Sequence, residues 1–173
     1  MFVVMPERLA RDLWIVYTTA VVEVLTTMVV ECAEVFHPNG ERIMHKLYSS
    51  GSSWEATIGY SRAVQAGNAL YISATASSGP DGSIVGDDLY TQTKNILQKL
   101  GAVLADAGFS FQDVVQSRLY VTDITNWKEA GRAHGEVYGD IRPALTLLHV
   151  APFVDPKILI EIELTAVKRD GSA

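Results

Sequence analysis

Two hydrophobic periods run along the chain and separate predicted strands from predicted helices. Residues 158–169, "ILIEIELTAVKR", alternate apolar and polar side chains, as a β-strand with one buried face does. One face of this predicted strand carries Ile160, Ile162 and Leu164. The other carries Glu161, Glu163 and Thr165. Two glutamates on a strand that resembles the centre of a sheet raise the question of what their face contacts.

Further strands are predicted where β-branched and aromatic residues alternate with polar ones between turn signals. They span residues 45–50, 59–66, 69–76, 113–123 and 142–151. Gly67-Asn68 predicts a tight hairpin turn between the second and third of these. In residues 113–123 the pattern places Val115, Leu119 and Val121 on one face, and Gln116, Arg118 and Tyr120 on the other.

Two segments have the helical period instead. Residues 87–108 repeat apolar side chains at helical spacing, with Asp87 or Asp88 as the N-cap and Gly108 as the end. The pattern places five polar residues of this helix outside: Gln92, Asn95, Gln98, Lys99 and Asp106. Residues 125–140 predict a second helix, whose buried stripe consists of Trp127, Ala130, His134, Val137 and Tyr138.

Two helices can cover one face of a sheet of five or six strands, which leaves the other face without a helix. We expect that second face to carry Gln116, Arg118, Tyr120, Glu161 and Glu163. We also place Leu145 and Leu147 there, with Ala144, Thr146 and Leu148 under the helices. A face of this mixed character predicts assembly of several copies around partly polar pockets. The alternative is that Arg118 forms ion pairs with the glutamates across neighbouring strands.

The first 43 residues are patterned differently from the rest. They contain a long apolar run, but Glu23 lies in its middle, which disfavours a membrane span, and no good signal-peptide cleavage site follows. We therefore treat residues 1–43 as an N-terminal extension and residues 44–173 as the domain. The open alternatives are an appended helix or strand, or a segment upstream of a natural start at Met44.

Composition narrows the function classes. A chain of 173 residues with 48% hydrophobic side chains predicts one globular domain, and the net charge of −6 argues against nucleic acid as a partner. The single cysteine, Cys32, excludes an internal disulfide and is typical of a cytoplasmic protein. The four histidines have no metal-ligand spacing, so we expect neither a metal nor another cofactor.

Several of these segments together resemble the Rid (YjgF-like) family, whose best-known members hydrolyse reactive enamines and imines. They are "GYSRAVQAGNALYIS", "YTQTKNILQKLGAVLADAG", "DVVQSRLYVTDI", "RPA" and "IEIELTAVKR", in the family's order. The resemblance implies a chorismate-mutase-like (YjgF-like) α/β fold. It also implies a homotrimer with three small-molecule pockets between subunits, so that the glutamate face would look into the trimer.

The resemblance also implies roles for individual residues. Tyr60 and Ser73 match a substrate-binding tyrosine and serine, and Glu161 matches the glutamate thought to position or activate the attacking water. The plainer interpretation of Tyr60 and Ser73 is strand packing and a satisfied hydroxyl. Arg118 and Ala144 are further candidates for contact with substrate, whereas His134 is more typical of a core histidine.

Three departures from the family pattern fall at the implied pocket. Leu145, after Pro-Ala, stands where deaminating members have the arginine that binds the substrate carboxylate, and leucine has no donors. Ala74 replaces a glycine, and Gly131 aligns near a pocket asparagine. Arg142 is a poor substitute because strand parity places it on the other face.

These observations predict a trimeric Rid-type protein of a subgroup without the deaminase arginine. It would hydrolyse a C=N bond in a substrate that lacks a carboxylate or holds it differently, with weak or no activity on 2-imino acids. A protein that binds a metabolite without turnover, in a regulatory role, is the first alternative. An endoribonuclease is the second, and the acidic charge argues against it.

Overall fold

The computed structural model describes residues 32–36 and 42–168, with side chains from His45 onward. The described residues form seven strands and three α-helices. The strands are β1 (Cys32–Phe36), β2 (Arg42–Tyr48), β3 (Ala63–Ala66), β4 (Ala69–Ala76), β5 (Val114–Val121), β6 (Ala144–His149) and β7 (Ile160–Val167). The helices are α1 (Ser53–Ile58), α2 (Leu89–Asp106) and α3 (Trp127–Tyr138).

The strands form one mixed sheet in the order β1-β2-β3-β4-β7-β5-β6. Neighbours are antiparallel except β5 and β6, which are parallel. From β2 onward the sheet has six strands, and β7 lies in its middle as predicted. Strand β1 falls within the segment predicted to be an extension, and most of that segment lies outside the described residues.

Helices α2 and α3 form a single layer on one face, which confirms the predicted architecture. Helix α2 packs on β4 and β7 and contacts α3. It begins at Asp88, whose carboxylate accepts from the Thr91 amide at 2.8 Å, and Gly108 follows its end with a φ of 76°. The core between the layers includes Ile96, Leu100, Leu119, Ile160 and Ile162, all fully buried.

Gln92 was predicted to lie on the exposed polar side of α2, and this prediction was wrong because its side chain is fully buried. The amide nitrogen donates to the carbonyl oxygens of Gly86 and Lys157 at 2.9 and 2.7 Å. The amide oxygen accepts from the Leu159 amide at 2.9 Å. Three backbone partners make burial of this polar group possible, and they tie α2 to the loops before it and before β7.

Two predicted core residues are exposed. Val115 lies at a β-bulge between β5 and β7, so the neighbouring Val114 is buried in its place and Ser117 joins the covered face. Trp127 stands at the first position of α3, where it is half exposed, and Ala133 occupies the buried stripe of that helix instead.

The predicted parity of β6 was wrong. Leu145 and Leu147 pair with Ser117 and Leu119 of β5, which point toward the helices. Residues directly opposite one another on neighbouring strands share a face, so the two leucines lie on the helix side and Ala144, Thr146 and Leu148 on the other. The sequence "ALTLLH" is apolar in both phases, and so its alternation could not decide the face.

Helix α1 was not predicted, and it lies between the strands predicted at residues 45–50 and 59–66. This short helix is stabilised by Glu55, a buried carboxylate that accepts hydrogen bonds from Ser49 and Ser50. Burial alone would raise the pKa of Glu55, but these hydrogen bonds bring it below the ordinary value. Helix α1 ends at Gly59, and Tyr60 follows directly.

Candidate functional site

The face of the sheet opposite α2 and α3 is polar along β5 and β7. The cross-strand pairs are Gln116 with Thr165, Arg118 with Glu163 and Tyr120 with Glu161. We call this set of six residues the open face. Its composition along these two strands is the one predicted from the sequence.

Arg118 forms an ion pair with Glu163 and also donates to the Gln116 side chain at 2.7 Å. Burial raises the pKa of the Tyr120 hydroxyl, and the neighbouring Glu163 carboxylate adds to that rise. The plainer interpretation therefore holds for Glu163, which is paired by Arg118. The Arg118 guanidinium already has two partners within its own sheet. Its predicted contact with substrate stays a prediction.

Glu161 differs from Glu163 because it makes no ion pair within the described residues. It lies between Ala76 of β4 and Tyr120 of β5 and is partly buried. Burial raises the pKa of the Glu161 carboxyl above its ordinary value, and the positive charge of Arg62 opposes the rise. A carboxyl group in this state can accept a proton from water and return it.

Tyr60 and Ser73 lie at the same end of the sheet as Glu161, and Arg62 connects them. The Arg62 guanidinium donates to the Tyr60 hydroxyl at 3.2 Å and to the Ser73 and Ala74 carbonyl oxygens at 3.4 and 3.0 Å. The Ser73 hydroxyl donates to the Ser61 carbonyl oxygen at 2.8 Å. The structure thus brings three of the predicted site residues to one region, joined by an arginine that the sequence analysis missed.

The signal for Arg62 was weak. It lies inside the motif "GYSRAVQA", directly before β3, but an arginine at a strand start is ordinary. What gives it partners is a bulge in β4 between Ile72 and Thr75, where the pairing with β7 shifts by one residue. Nothing in the alternation of residues 69–76 predicts that bulge.

Leu145 and Ala144 lie away from this region. Leu145 is on the helix side of the edge strand β6 and 50% exposed, while Ala144 pairs with Gln116 at the border of the open face. Glu161 and Leu145 of one chain therefore leave opposite faces of the sheet. Gly131, the third departure from the family pattern, lies on α3, and a side chain built there would meet only the Trp127 ring, at 3.7 Å.

The His134 side chain is on the buried side of α3. Its ring packs against Tyr138 with centroids 4.4 Å apart, and burial lowers the pKa of the imidazole. A buried histidine stacked on an aromatic ring agrees with the structural role expected from the sequence.

Over residues 45–168, whose side chains the structure describes, no three His, Cys, Asp or Glu side chains come together as metal ligands would. No helix of the described residues has the length and apolar character needed to cross a membrane.

Comparison with known proteins places this geometry in a family. The family model described as "Endoribonuclease L-PSP" matches residues 50–168. A RutC family protein of Pyrococcus horikoshii is 35% identical over 111 residues, which are 63% of this chain and 86% of that protein.

Two crystal structures show the same fold. A Mycobacterium tuberculosis member of the YjgF/YER057c/UK114 family superposes with a TM-score of 0.66 at 38% identity, covering 72% of this chain and 99% of that chain. A Yersinia pestis protein of the conserved Rid protein family gives a TM-score of 0.59 at 30% identity, covering 63% and 87%. The matched region contains all the candidate site residues, and the chain belongs to the Rid (YjgF, L-PSP endoribonuclease) family.

Proposed function

We propose that this protein hydrolyses the C=N bond of a small imine, or of the imine tautomer of an enamine, and that Glu161 transfers the protons. The observation that carries the proposal is the state of Glu161: partly buried, with a pKa raised by burial, and not paired within residues 45–168. Glu163, two residues along the same strand, has its charge neutralised by Arg118 and is unsuited to that task.

The reaction needs one water and no redox partner. The water oxygen attacks the imine carbon while Glu161 accepts a proton from the water, and the C=N π electrons move to nitrogen. Glu161 then returns that proton to nitrogen, which gives a carbinolamine. Glu161 next accepts the proton of the new hydroxyl group and passes it to nitrogen as the C–N bond breaks, so ammonia leaves and the hydroxyl oxygen becomes that of a carbonyl. The acidic and basic steps alternate on one carboxyl, for which a pKa nearer to neutrality is favourable.

We infer that the working form is a homotrimer. Glu161 and Leu145 lie on opposite faces of one sheet, so a pocket that uses both positions must take them from two copies. The open face and the half-exposed Leu148 beside it form a mixed surface of the kind that assembly covers.

The substrate class follows from Leu145. An arginine at this position would make two charge-assisted hydrogen bonds to a carboxylate, at about 1.5–3 kcal/mol each. Their absence costs about 3–6 kcal/mol, which is on the order of a hundredfold to ten-thousandfold in catalytic efficiency. We therefore propose a substrate without a carboxylate, or one that binds its carboxylate elsewhere.

The test is a competition between hydrolysis and trapping by semicarbazide. An amine oxidase forms the uncharged imine of benzylamine in place, and a second oxidase forms a 2-imino acid. We expect wild-type protein to hydrolyse the uncharged imine before semicarbazide traps it, and Glu161→Gln to lose that activity. We expect the wild-type protein to hydrolyse the 2-imino acid weakly or not at all. Leu145→Arg is expected to gain 2-imino acid activity in part, because Ala74 and Gly131 also differ from the family pattern.

The outcomes separate the candidate functions. Wild-type protein that consumes the 2-imino acid as fast as an arginine-bearing relative would contradict the role given to Leu145. Binding of an imine analogue without turnover of either imine would favour a metabolite-binding protein. Cleavage of single-stranded RNA would favour an endoribonuclease, against which stand the net charge of −6 and the pairing of Arg118 by Glu163.

A further inference from the structure

Arg62 makes more side-chain contacts near Glu161 than packing of a strand start requires. One terminal nitrogen donates to the carbonyl oxygens of Ser73 and Ala74 and to the Thr75 hydroxyl, at 3.4, 3.0 and 2.9 Å. The other donates to the Tyr60 hydroxyl at 3.2 Å. The guanidinium therefore joins the loop before β3 to the bulge in β4.

These contacts decide which hydrogen-bonding groups remain for a ligand. The Tyr60 hydroxyl accepts from Arg62, and within residues 45–168 no group accepts from it, so its O–H hydrogen is free to donate. The Ser73 hydroxyl uses its hydrogen on the Ser61 carbonyl oxygen, so it presents lone pairs. Thr75 accepts from Arg62 and donates to the Ser73 carbonyl oxygen, and both of its roles are filled.

An unsubstituted imine nitrogen matches this pair of roles. It carries one lone pair, which can accept from the Tyr60 hydroxyl, and one N–H, which can donate to the Ser73 hydroxyl. A hydrogen bond from Tyr60 to that nitrogen also withdraws electrons from the carbon that water attacks. An imine substituted on nitrogen keeps the lone pair but has no N–H for Ser73.

We propose that Arg62 is a positioning residue of this site, which holds Tyr60 as a donor and Ser73 as an acceptor and so selects substrates with an unsubstituted C=N–H group. This inference deepens the proposed function and rests on it. Arg62 also brings a positive charge to the surroundings of Glu161. The effect of the Arg62 charge on Glu161 can be measured without substrate. The selectivity can be measured by comparing two imines.

The first experiment follows the titration of the Glu161 side-chain carboxyl by carbon NMR. The groups around Glu161 are Arg62 before β3, Tyr120 and Arg118 on β5, Glu163 on β7, and Lys99 of α2, which donates to the Ala76 carbonyl oxygen at 3.1 Å. Arg62→Gln should raise the midpoint, and Arg62→Lys should leave it close to that of the wild type.

Arg132→Gln is the matched control, because it removes the same charge from α3, where Arg132 pairs with Glu129 and lies over the Tyr90 ring. It should leave the Glu161 midpoint unchanged. An unchanged midpoint in Arg62→Gln, or an equal rise in Arg132→Gln, would overturn the role of Arg62. Thermal unfolding of each variant checks that the bulge has not collapsed, and Arg62→Lys retains the charge if Arg62→Gln fails to fold.

The second experiment compares the imines that an amine oxidase forms from benzylamine and from N-methylbenzylamine. Wild-type protein should prefer the unsubstituted imine, and Ser73→Ala, which removes the acceptor of the N–H, should lower that preference by roughly tenfold. Arg62→Lys, which has fewer donors for the Ser73 and Ala74 carbonyls, should lower the preference in the same direction. Tyr60→Phe should slow both imines alike, because both keep the lone pair that accepts from Tyr60. Equal preference in the wild type, in Ser73→Ala and in Arg62→Lys would overturn the selectivity. If neither imine is hydrolysed, the proposed function fails, and the carboxyl titration still decides the role of Arg62.

Discussion

The two faces of the sheet differ in how their side chains are satisfied. On the covered face, Ile160, Ile162 and Leu164 of β7 pack beneath the helices with almost no exposure. On the open face, Glu161, Glu163 and Thr165 of the same strand are only partly buried, and Glu163 is paired by Arg118 whereas Glu161 is not. The covered face supplies stability, and the open face keeps charge and polarity for binding and assembly.

Adjacent residues of β7 give the sharpest test of this difference. Ile162→Ala should lower the free energy of unfolding by about 2–5 kcal/mol, because a fully buried side chain leaves a cavity. Glu163→Ala should cost less than about 1 kcal/mol, because the ion pair it breaks is partly solvated. Urea denaturation at equal protein concentration measures both. Equal losses for the two variants would show that the faces contribute alike.

Gln92 tests whether a polar group on the covered face stabilises through its hydrogen bonds. Gln92→Leu keeps the volume but leaves the carbonyls of Gly86 and Lys157 and the Leu159 amide without their partner. We expect a loss of about 2 kcal/mol, given roughly 1–3 kcal/mol for an unsatisfied buried group.

The matched control for that variant is Gln98→Leu on the exposed side of the same helix. It should change the free energy of unfolding by less than about 0.5 kcal/mol. If the two leucine variants unfold at the same urea concentration, the hydrogen bonds of Gln92 contribute nothing to the joint between α2 and the loops.

The sequence predicted the faces where polar and apolar residues alternate strictly, as in β7. It misplaced β6, because "ALTLLH" is apolar in both phases, and it misplaced Val115, because a bulge shifts the register by one residue. Gln92 was misplaced because its partners are backbone groups of two distant loops, which no helical period records. Tyr60, Ser73 and Glu161 came from the family resemblance, while Arg62 depends on a bulge that the sequence does not signal.

The raised pKa of Glu161 predicts a pH-dependent contrast between the faces. A carboxyl whose pKa is higher folded than unfolded binds more protons in the folded state, so its contribution to stability falls as pH rises through the two values. Glu161→Gln should therefore stabilise the protein at pH 7 and lose that advantage below the ordinary glutamate value of 4.5. Urea denaturation of both proteins from pH 4 to pH 8 measures the effect. A variant less stable than wild type at pH 7 would contradict it.

The proposed site requires that copies of the chain cover one another's open faces and complete the surroundings of Glu161. Sedimentation equilibrium of the full chain at micromolar concentration measures this directly. We expect one species at three times the chain mass of 18.9 kDa. A stable monomer at that concentration would leave Glu161 and Leu145 on opposite faces of a single sheet and would contradict the proposed site.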